Sequence, residues 1–376
     1  MLWGLKQRLG GFPRSSGCLW LHGASLGECN ALLQLYPALA TLGRPIVLTT
    51  QKAEIVAELR RRAPEGVQVA LAPAPFKAVV RQWLRQVQPQ MLILYEGEIW
   101  PAWLQVLQAQ GVPVALVSAR MSDQAWTRYG LQHKYWRAQL QGISAIWAQS
   151  ANHAHRWAHF YSGPIAIGGD WKLWHKTMAL PQSAGNVDLV AISVHRADWK
   201  LMGEGLLKHA EMGGKTVVIP RHPSDAPWFA QKIRRAQQKS VPWPQVEAGA
   251  ISLVHQFGQV GAVLKEANIA VMGGSFGGGG IHDFWEPLFA GVPVISGLQQ
   301  GHHSEVLRAL QAAGAVGVVD DLANMRIGNH GRDVWLENWF PWEKRYEIPR
   351  ILQEYLQPVQ QSVPEFVRWV GERIRA

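Results

Sequence analysis

The residues best placed to do chemistry each follow a short apolar run. Glu28 closes HGASLGE, Glu96 and Glu98 bracket Gly97 in EGEIWP, and Arg221 and His222 follow KTVVIP. In a doubly wound α/β sheet the strand ends converge on the ligand crevice, so residues at those ends are candidates for catalysis or binding. Glu28 reads either as a general base or as a carboxylate complementing a helix dipole. One of Glu96 and Glu98 is expected to face the crevice and the other to bind local backbone. Arg221 suits a phosphate or carboxylate, because a guanidinium binds both bidentately; a solvated ion pair is the plain alternative. Lys172, in GGDWK, stands where the first half of the chain gives way to the second and can either reach a charged ligand or lie on the surface. Ser118, Arg120 and Ser122 end another run and can hold a sugar or phosphate.

A second constellation lies in IAVMGGSFGGGGIHDFWEPLFAGVPVISG, residues 269–297. The pattern predicts a strand over Ile269–Met272, a bare loop through Gly274 and Ser275 to Gly280, a helix from near His282 to Ala290, and a strand over Val292–Ser296. Such a loop leaves backbone N–H groups and a helix N-terminus free for a phosphate. His282 and Glu286, four apart, are expected on one helix face, the carboxylate on ribose hydroxyls and the imidazole on an anion. Glycine-rich turns also occur without ligands, so the pair and the loop must be taken together. No GxxxxGK[ST] run is present, which argues against P-loop chemistry.

These residues need a frame. Apolar runs at Cys18–His22, Ile46–Thr50, Val67–Leu71, Met91–Tyr95 and Val112–Val117 alternate with helical segments, one longer helix is expected over about Gln124–Gln141, and short runs follow at Ala145–Ala148 and Ile165–Ile167. The pattern restarts at Val187–Val194 and continues through Thr216–Ile219, Ile251–Val254, Ile269–Met272, Val292–Ser296 and Val316–Val319. The expected class is α/β: two Rossmann-like domains, residues 1–175 and 185–340, facing a cleft. Residues 341–376 read as two terminal helices, Pro341–Tyr355 and Val363–Ile374.

Composition narrows the partners. The chain has 376 residues, a formal charge of +10 and two cysteines, Cys18 and Cys29. That charge suits anionic substrates and anionic membrane surfaces, and no nucleic-acid-binding signature accompanies it. The cysteines offer no disulfide framework, and the 14 histidines lack companion ligands at metal-site spacing, so no metal site is expected. GASLG is not GxSxG, which leaves a serine-hydrolase triad without support. No apolar run reaches membrane-spanning length. MLWGLKQRLG, with Trp3 and Lys6, reads either as a membrane-surface helix or as an ordinary first helix; Arg8, Arg14 and the basic face of Lys77, Arg81 and Arg85 join it as candidate surface contacts.

Seven stretches in order, LWLHGASLGE, YEGEIWP, VPVALVSARMS, GGDWK, VVIPRHP, FGQVGAVLKEANIAVMGGSFG and GIHDFWEPLFAGVPVISG, resemble the bacterial Kdo transferases. They extend from about residue 19 to residue 300. The resemblance implies a GT-B fold whose terminal helices, residues 341–376, return toward the first domain, and an inverting glycosyltransferase that needs no metal or other cofactor. It implies transfer of 3-deoxy-D-manno-oct-2-ulosonic acid (Kdo) from CMP-Kdo to a lipid A precursor on the cytoplasmic face of the inner membrane. It places Glu28 as the general base and Glu98 as a second cleft carboxylate. It places Lys172, Arg221, His222, Gly274, Ser275, His282 and Glu286 on the donor side. A GT-B enzyme using another sugar nucleotide, and a non-catalytic anionic-lipid-binding protein, are the alternatives.

Overall fold

The computed structural model describes residues 7–176, 185–281, 283–324, 326–327, 334–335 and 341–374. Trp3, Lys6 and His282 lie outside the described residues. The chain divides into two compact units, residues 1–175 with 356–376, and residues 176–355.

The first unit is built on seven parallel strands: β1 (Cys18–His22), β2 (Ile46–Thr50), β3 (Val67–Leu71), β4 (Pro89–Tyr95), β5 (Val114–Ala119), β6 (Ala145–Ala148) and β7 (Ile165–Ile167). Their order is β3-β2-β1-β4-β5-β6-β7. Strand order therefore reverses between β1 and β4, which pair in parallel with His22 opposite Leu94. This is the switch point at which a doubly wound sheet opens a crevice. β1, β2, β5 and β6 are buried along their whole length, as strands covered by helices on both faces must be. Four helices carry or support the functional candidates: α1 (Leu26–Gln34), α2 (Lys77–Val87), α3 (Asp123–Leu131) and, at the end of the chain, α4 (Pro341–Ile374).

The second unit repeats the plan. Its strands are β8 (Val187–Val194), β9 (Thr216–Pro220), β10 (Lys239–Pro242), β11 (Ala250–Leu253), β12 (Ala267–Met272), β13 (Val294–Ser296) and β14 (Val316–Val318). The order β10-β11-β9-β8-β12-β13-β14 places a switch point between β8 and β12. β10 is a polar edge strand ending in proline, and KSVP gives no apolar signal from which to read it.

Three expectations change. The predicted single helix over 124–141 is two, Asp123–Leu131 and His133–Leu140, separated by Gln132 in a non-helical conformation. The two terminal helices are one helix of 34 residues, despite Pro349, Pro358 and Pro364 within it. Each proline removes an intrahelical hydrogen bond. Burial of Val359, Val363, Phe366 and Val370 against the Trp147 and Trp171 cluster of the first unit offsets that loss. Ser362 accepts from Trp171 Nε1 (3.0 Å) and donates to Gly168 O (2.8 Å), fixing the same contact. Finally, the helix after the glycine loop spans only Trp285–Phe289, so it does not begin near His282. Asp283 accepts the Trp285 amide at 3.0 Å, a turn that holds the chain out of the helix until that point. Glu286 stands in the first turn of this short helix, and the pairing expected for it with His282 falls outside the described residues.

Candidate active site

In the first unit the ends of β1 and β4 bring Glu28, Glu96 and Glu98 to one cavity of about 220 Å³. Ser25 caps α1 by accepting the Glu28 amide at 3.2 Å. Its hydroxyl returns a hydrogen bond to Glu28 Oε1 (2.7 Å), and the Ala24 amide donates to Oε2 (2.9 Å). The S-x-x-E spacing is that of a capping box, and Glu28 stands in the first turn of α1, where a carboxylate complements the helix dipole. Yet the carboxylate also lines the cavity. Burial raises its pKa above the ordinary 4.5; the Ser25 and Ala24 hydrogen bonds oppose this, and the Glu96 charge adds to it. A raised carboxyl that is oriented on both oxygens is suited to taking a proton.

Glu96 turns the chain at the end of β4 in a left-handed conformation, φ +57°. Its amide donates to Val117 O and its carbonyl accepts the Arg120 amide, which holds a conformation non-glycine residues rarely adopt. The side chain accepts from Lys172 Nζ at 2.5 Å and lies 3.5 Å from Arg120 Nη2. Burial pulls the Lys172 ammonium down, but the charge and hydrogen bond of Glu96, with Asp170 and Glu28 beyond, raise it overall. Glu98 accepts from Trp100 Nε1 at 3.3 Å, and burial together with the Glu28 charge pushes its pKa up. Lys172 thus stands among the carboxylates of the first unit. Asp170, two residues before it, accepts the Lys172 amide and the Ser118 hydroxyl. Asp170 was missed because GGDWK drew attention only to its cation.

The second unit holds the other candidates. Arg221 leaves the end of β9 with its amide on Val194 O, half-buried, and no carboxylate among the described residues forms an ion pair with it. His222 follows it, exposed. The glycine loop is not the open set of amides that its sequence predicts. Asp198, wholly buried, accepts the amides of Gly274 (2.7 Å), Phe276 (3.2 Å) and Gly277 (3.0 Å), together with His195 (2.8 Å) beyond β8. An internal carboxylate occupies the nest that the sequence reserves for a phosphate. Gly274 is required here: its φ is +78°, and a Cβ would lie 2.2 Å from Gly280 O. Ser275 is also committed internally. Its buried hydroxyl donates to Met272 O (2.6 Å) and accepts from Gly297 N (2.7 Å), tying the ends of β12 and β13. Gly277 and Gly279 are the solvent-exposed part of the loop. Glu286 is exposed in the first turn of its helix; partial burial and Asp283 raise its pKa, and Lys176 opposes them. Asp198 was detectable in principle, because it follows β8 as Glu28 follows β1.

Two seven-stranded parallel sheets, each doubly wound with its own switch point, give the chain a GT-B architecture. The chain is related to the bacterial Kdo transferase family, whose profile, 3-deoxy-D-manno-octulosonic-acid transferase (kdotransferase), matches residues 4–174. The 3-deoxy-D-manno-octulosonic acid transferase of Bordetella pertussis is 28% identical over 326 residues, covering 79% of this chain and 75% of the relative. A probable mitochondrial 3-deoxy-D-manno-octulosonic acid transferase of Arabidopsis thaliana is 26% identical, covering 80% of this chain and 73% of its own. A glycosyltransferase structure from Rickettsia africae shares the fold, with a TM-score of 0.53, 11% identity and 96% of each chain covered. Among the described residues no group of three or more histidine, cysteine, aspartate or glutamate side chains is arranged to hold a metal ion. No helix among them is long and apolar enough to cross a membrane.

Proposed function

We propose that this protein transfers Kdo from CMP-Kdo to a hydroxyl of a lipid A precursor, with inversion and without a metal ion. The observation that carries the reading is Glu28: a cavity-lining carboxylate oriented by Ser25 and Ala24 and raised in pKa by burial. Its ionised form takes the proton of the acceptor hydroxyl, and the oxygen attacks the anomeric carbon as CMP leaves from the opposite face. Base catalysis of this kind contributes ~10²–10⁴-fold. Arg221 takes the charge developing on the departing phosphate. The exposed glycines of the loop allow the donor backbone-close approach, while Asp198 keeps the loop shaped. Glu286 serves the nucleotide. The kinship with 3-deoxy-D-manno-octulosonic acid transferases supports the choice of donor.

The acceptor of such an enzyme is an amphiphile in a bilayer, so the protein works as a peripheral protein at the cytoplasmic face of the inner membrane. Lys77, Arg81 and Arg85 stand exposed along one face of α2, and Phe76 beside them is 64% exposed. With the +10 charge, this face supports attraction to anionic lipid. Nucleotide release from a panel of CMP-, UDP- and GDP-sugars tests the assignment. Acceptor-dependent release of CMP from CMP-Kdo alone supports it, and turnover of UDP- or GDP-sugars in its place contradicts it.

A further inference from the structure

The two donors that orient Glu28 sit on a turn of small residues, Gly23, Ala24 and Ser25, between β1 and α1. Ser25 supplies a hydroxyl and Ala24 an amide. The Ala24 N–H belongs to the same peptide as the Gly23 carbonyl, and a planar peptide turns as one unit. Whatever holds Gly23 O therefore aims the Ala24 N–H at Glu28 Oε2. Cys29 holds it: its thiol, wholly buried in α1, donates to Gly23 O at 3.2 Å. The next peptide is held by the Thr50 hydroxyl, which donates to Ala24 O at 3.3 Å from the end of β2. The preceding one is anchored in the sheet, where the Gly23 amide donates to Thr49 O at 3.1 Å.

The absence of a side chain at Gly23 lets the turn lie this close. A Cβ there would come within 3.0 Å of Glu28 Cβ and 3.2 Å of Cys29 Sγ, pressing the turn away from both. Burial pushes the Cys29 thiol up to about 12; Thr50 and Gly23 oppose this and the Glu28 charge adds to it. The group therefore stays protonated, and able to donate, far above any pH at which a carboxyl titrates. Donation to a peptide carbonyl also polarises the amide behind it, so the N–H at the other end donates more strongly. We infer that Cys29, together with Thr50, is a positioning residue for Glu28: the thiol fixes the peptide between Gly23 and Ala24 so that its N–H stays on the carboxylate. This rests on reading Glu28 as the base and adds to it the residues that keep the base aimed.

Cys29→Ala and Cys29→Ser separate the thiol's hydrogen bond from its bulk, since both side chains are smaller than cysteine and only serine keeps a donor. Weakening a hydrogen bond to an ionised carboxylate raises its pKa. The acidic limb of the pH–rate profile is therefore expected to move upward in Cys29→Ala, and plateau turnover to fall roughly 2–10-fold, the range for one neutral hydrogen bond. Cys29→Ser is expected to recover most of both. The titration of Glu28 is also followed directly, by carboxyl carbon NMR on protein carrying isotope-labelled glutamate, with its signal identified by loss in Glu28→Gln. The charged groups around it, Glu96, Glu98, Arg120, Arg128 and Lys172, are the same in every variant. An upward titration in Cys29→Ala that reverses in Cys29→Ser supports the inference. An unmoved titration in folded Cys29→Ala, or the same shift in both variants, overturns it. If Cys29→Ala does not fold, Thr50→Val keeps the shape of its side chain, removes the second donor and carries the test: an upward titration supports the inference and an unmoved one overturns it. A titration that moves while the pH–rate profile fails to follow it instead removes Glu28 as the base and leaves the positioning standing.

Discussion

The carboxylate of Asp198 accepts the amide of Gly274 at 2.7 Å across 76 residues of sequence. The same side chain takes three further amides, and none of its surface is exposed. The glycine loop therefore keeps its shape through an internal anion. Asp198→Ala leaves buried N–H groups without acceptors and is expected to cost on the order of 3 kcal/mol. Asp198→Asn keeps one acceptor and should lose less. Thermal unfolding of both variants checks the order; an alanine variant as stable as wild type contradicts the role.

Glu28 must be ionised to accept a proton, and its pKa is raised. The rate is therefore expected to fall as pH drops through a value above the ordinary 4.5. Glu28→Gln should fold, bind CMP normally and lose ~10²–10⁴-fold in turnover. Near-normal turnover in a folded Glu28→Gln variant removes the assignment.

The same shift has a stability consequence of opposite sense to activity. A carboxyl whose pKa is raised on folding binds its proton more tightly in the native state, so its contribution is present at low pH. It is lost as pH rises from the unfolded pKa through the folded one. Glu28, Glu98 and Asp170 all shift this way, chiefly through burial. Glu28→Gln should consequently unfold no lower than wild type at pH 7, and its stability relative to wild type should rise as pH increases from about 4 to 7. A melting series across that range measures it. A variant less stable than wild type at pH 7 shows that the hydrogen bonds outweigh the burial.

Lys172 tunes this group. Its charge lowers the Glu28 pKa, and it donates to Glu96 at 2.5 Å. Lys172→Met is expected to move the acidic limb of the pH–rate profile upward, while Lys172→Arg keeps it close to wild type. An unmoved limb in the methionine variant places Lys172 outside the electrostatics of the base.

Much of the fold was legible because parallel strands buried on both faces read as short apolar runs. Cys18–His22, Ile46–Thr50 and Val187–Val194 have the same bounds in sequence and structure. Lys239–Pro242 carried no such signal, since an edge strand need not be apolar. In the site, strand-end position picked out Glu28, Glu96 and Glu98, which do share a cavity. Asp198 escaped because periodicity does not reveal that a carboxylate after one strand will fill a nest after another. Ser275 was read as open to a ligand, whereas its hydroxyl is fully used in joining two strand ends. Which amides are already satisfied is a tertiary property, and a glycine-rich run shows only that the backbone is bare.

The central claim is transfer of Kdo with Glu28 as base, and the mass spectrum of the lipid product tests it most directly. Wild-type protein is incubated with CMP-Kdo and a lipid A precursor in chelator-treated buffer, beside Glu28→Gln. The account predicts a lipid heavier by one or more Kdo residues, an equal amount of CMP, and product only at trace level with the variant. An unmodified lipid with CMP-Kdo, alongside a glycosylated product from a UDP- or GDP-sugar, contradicts it.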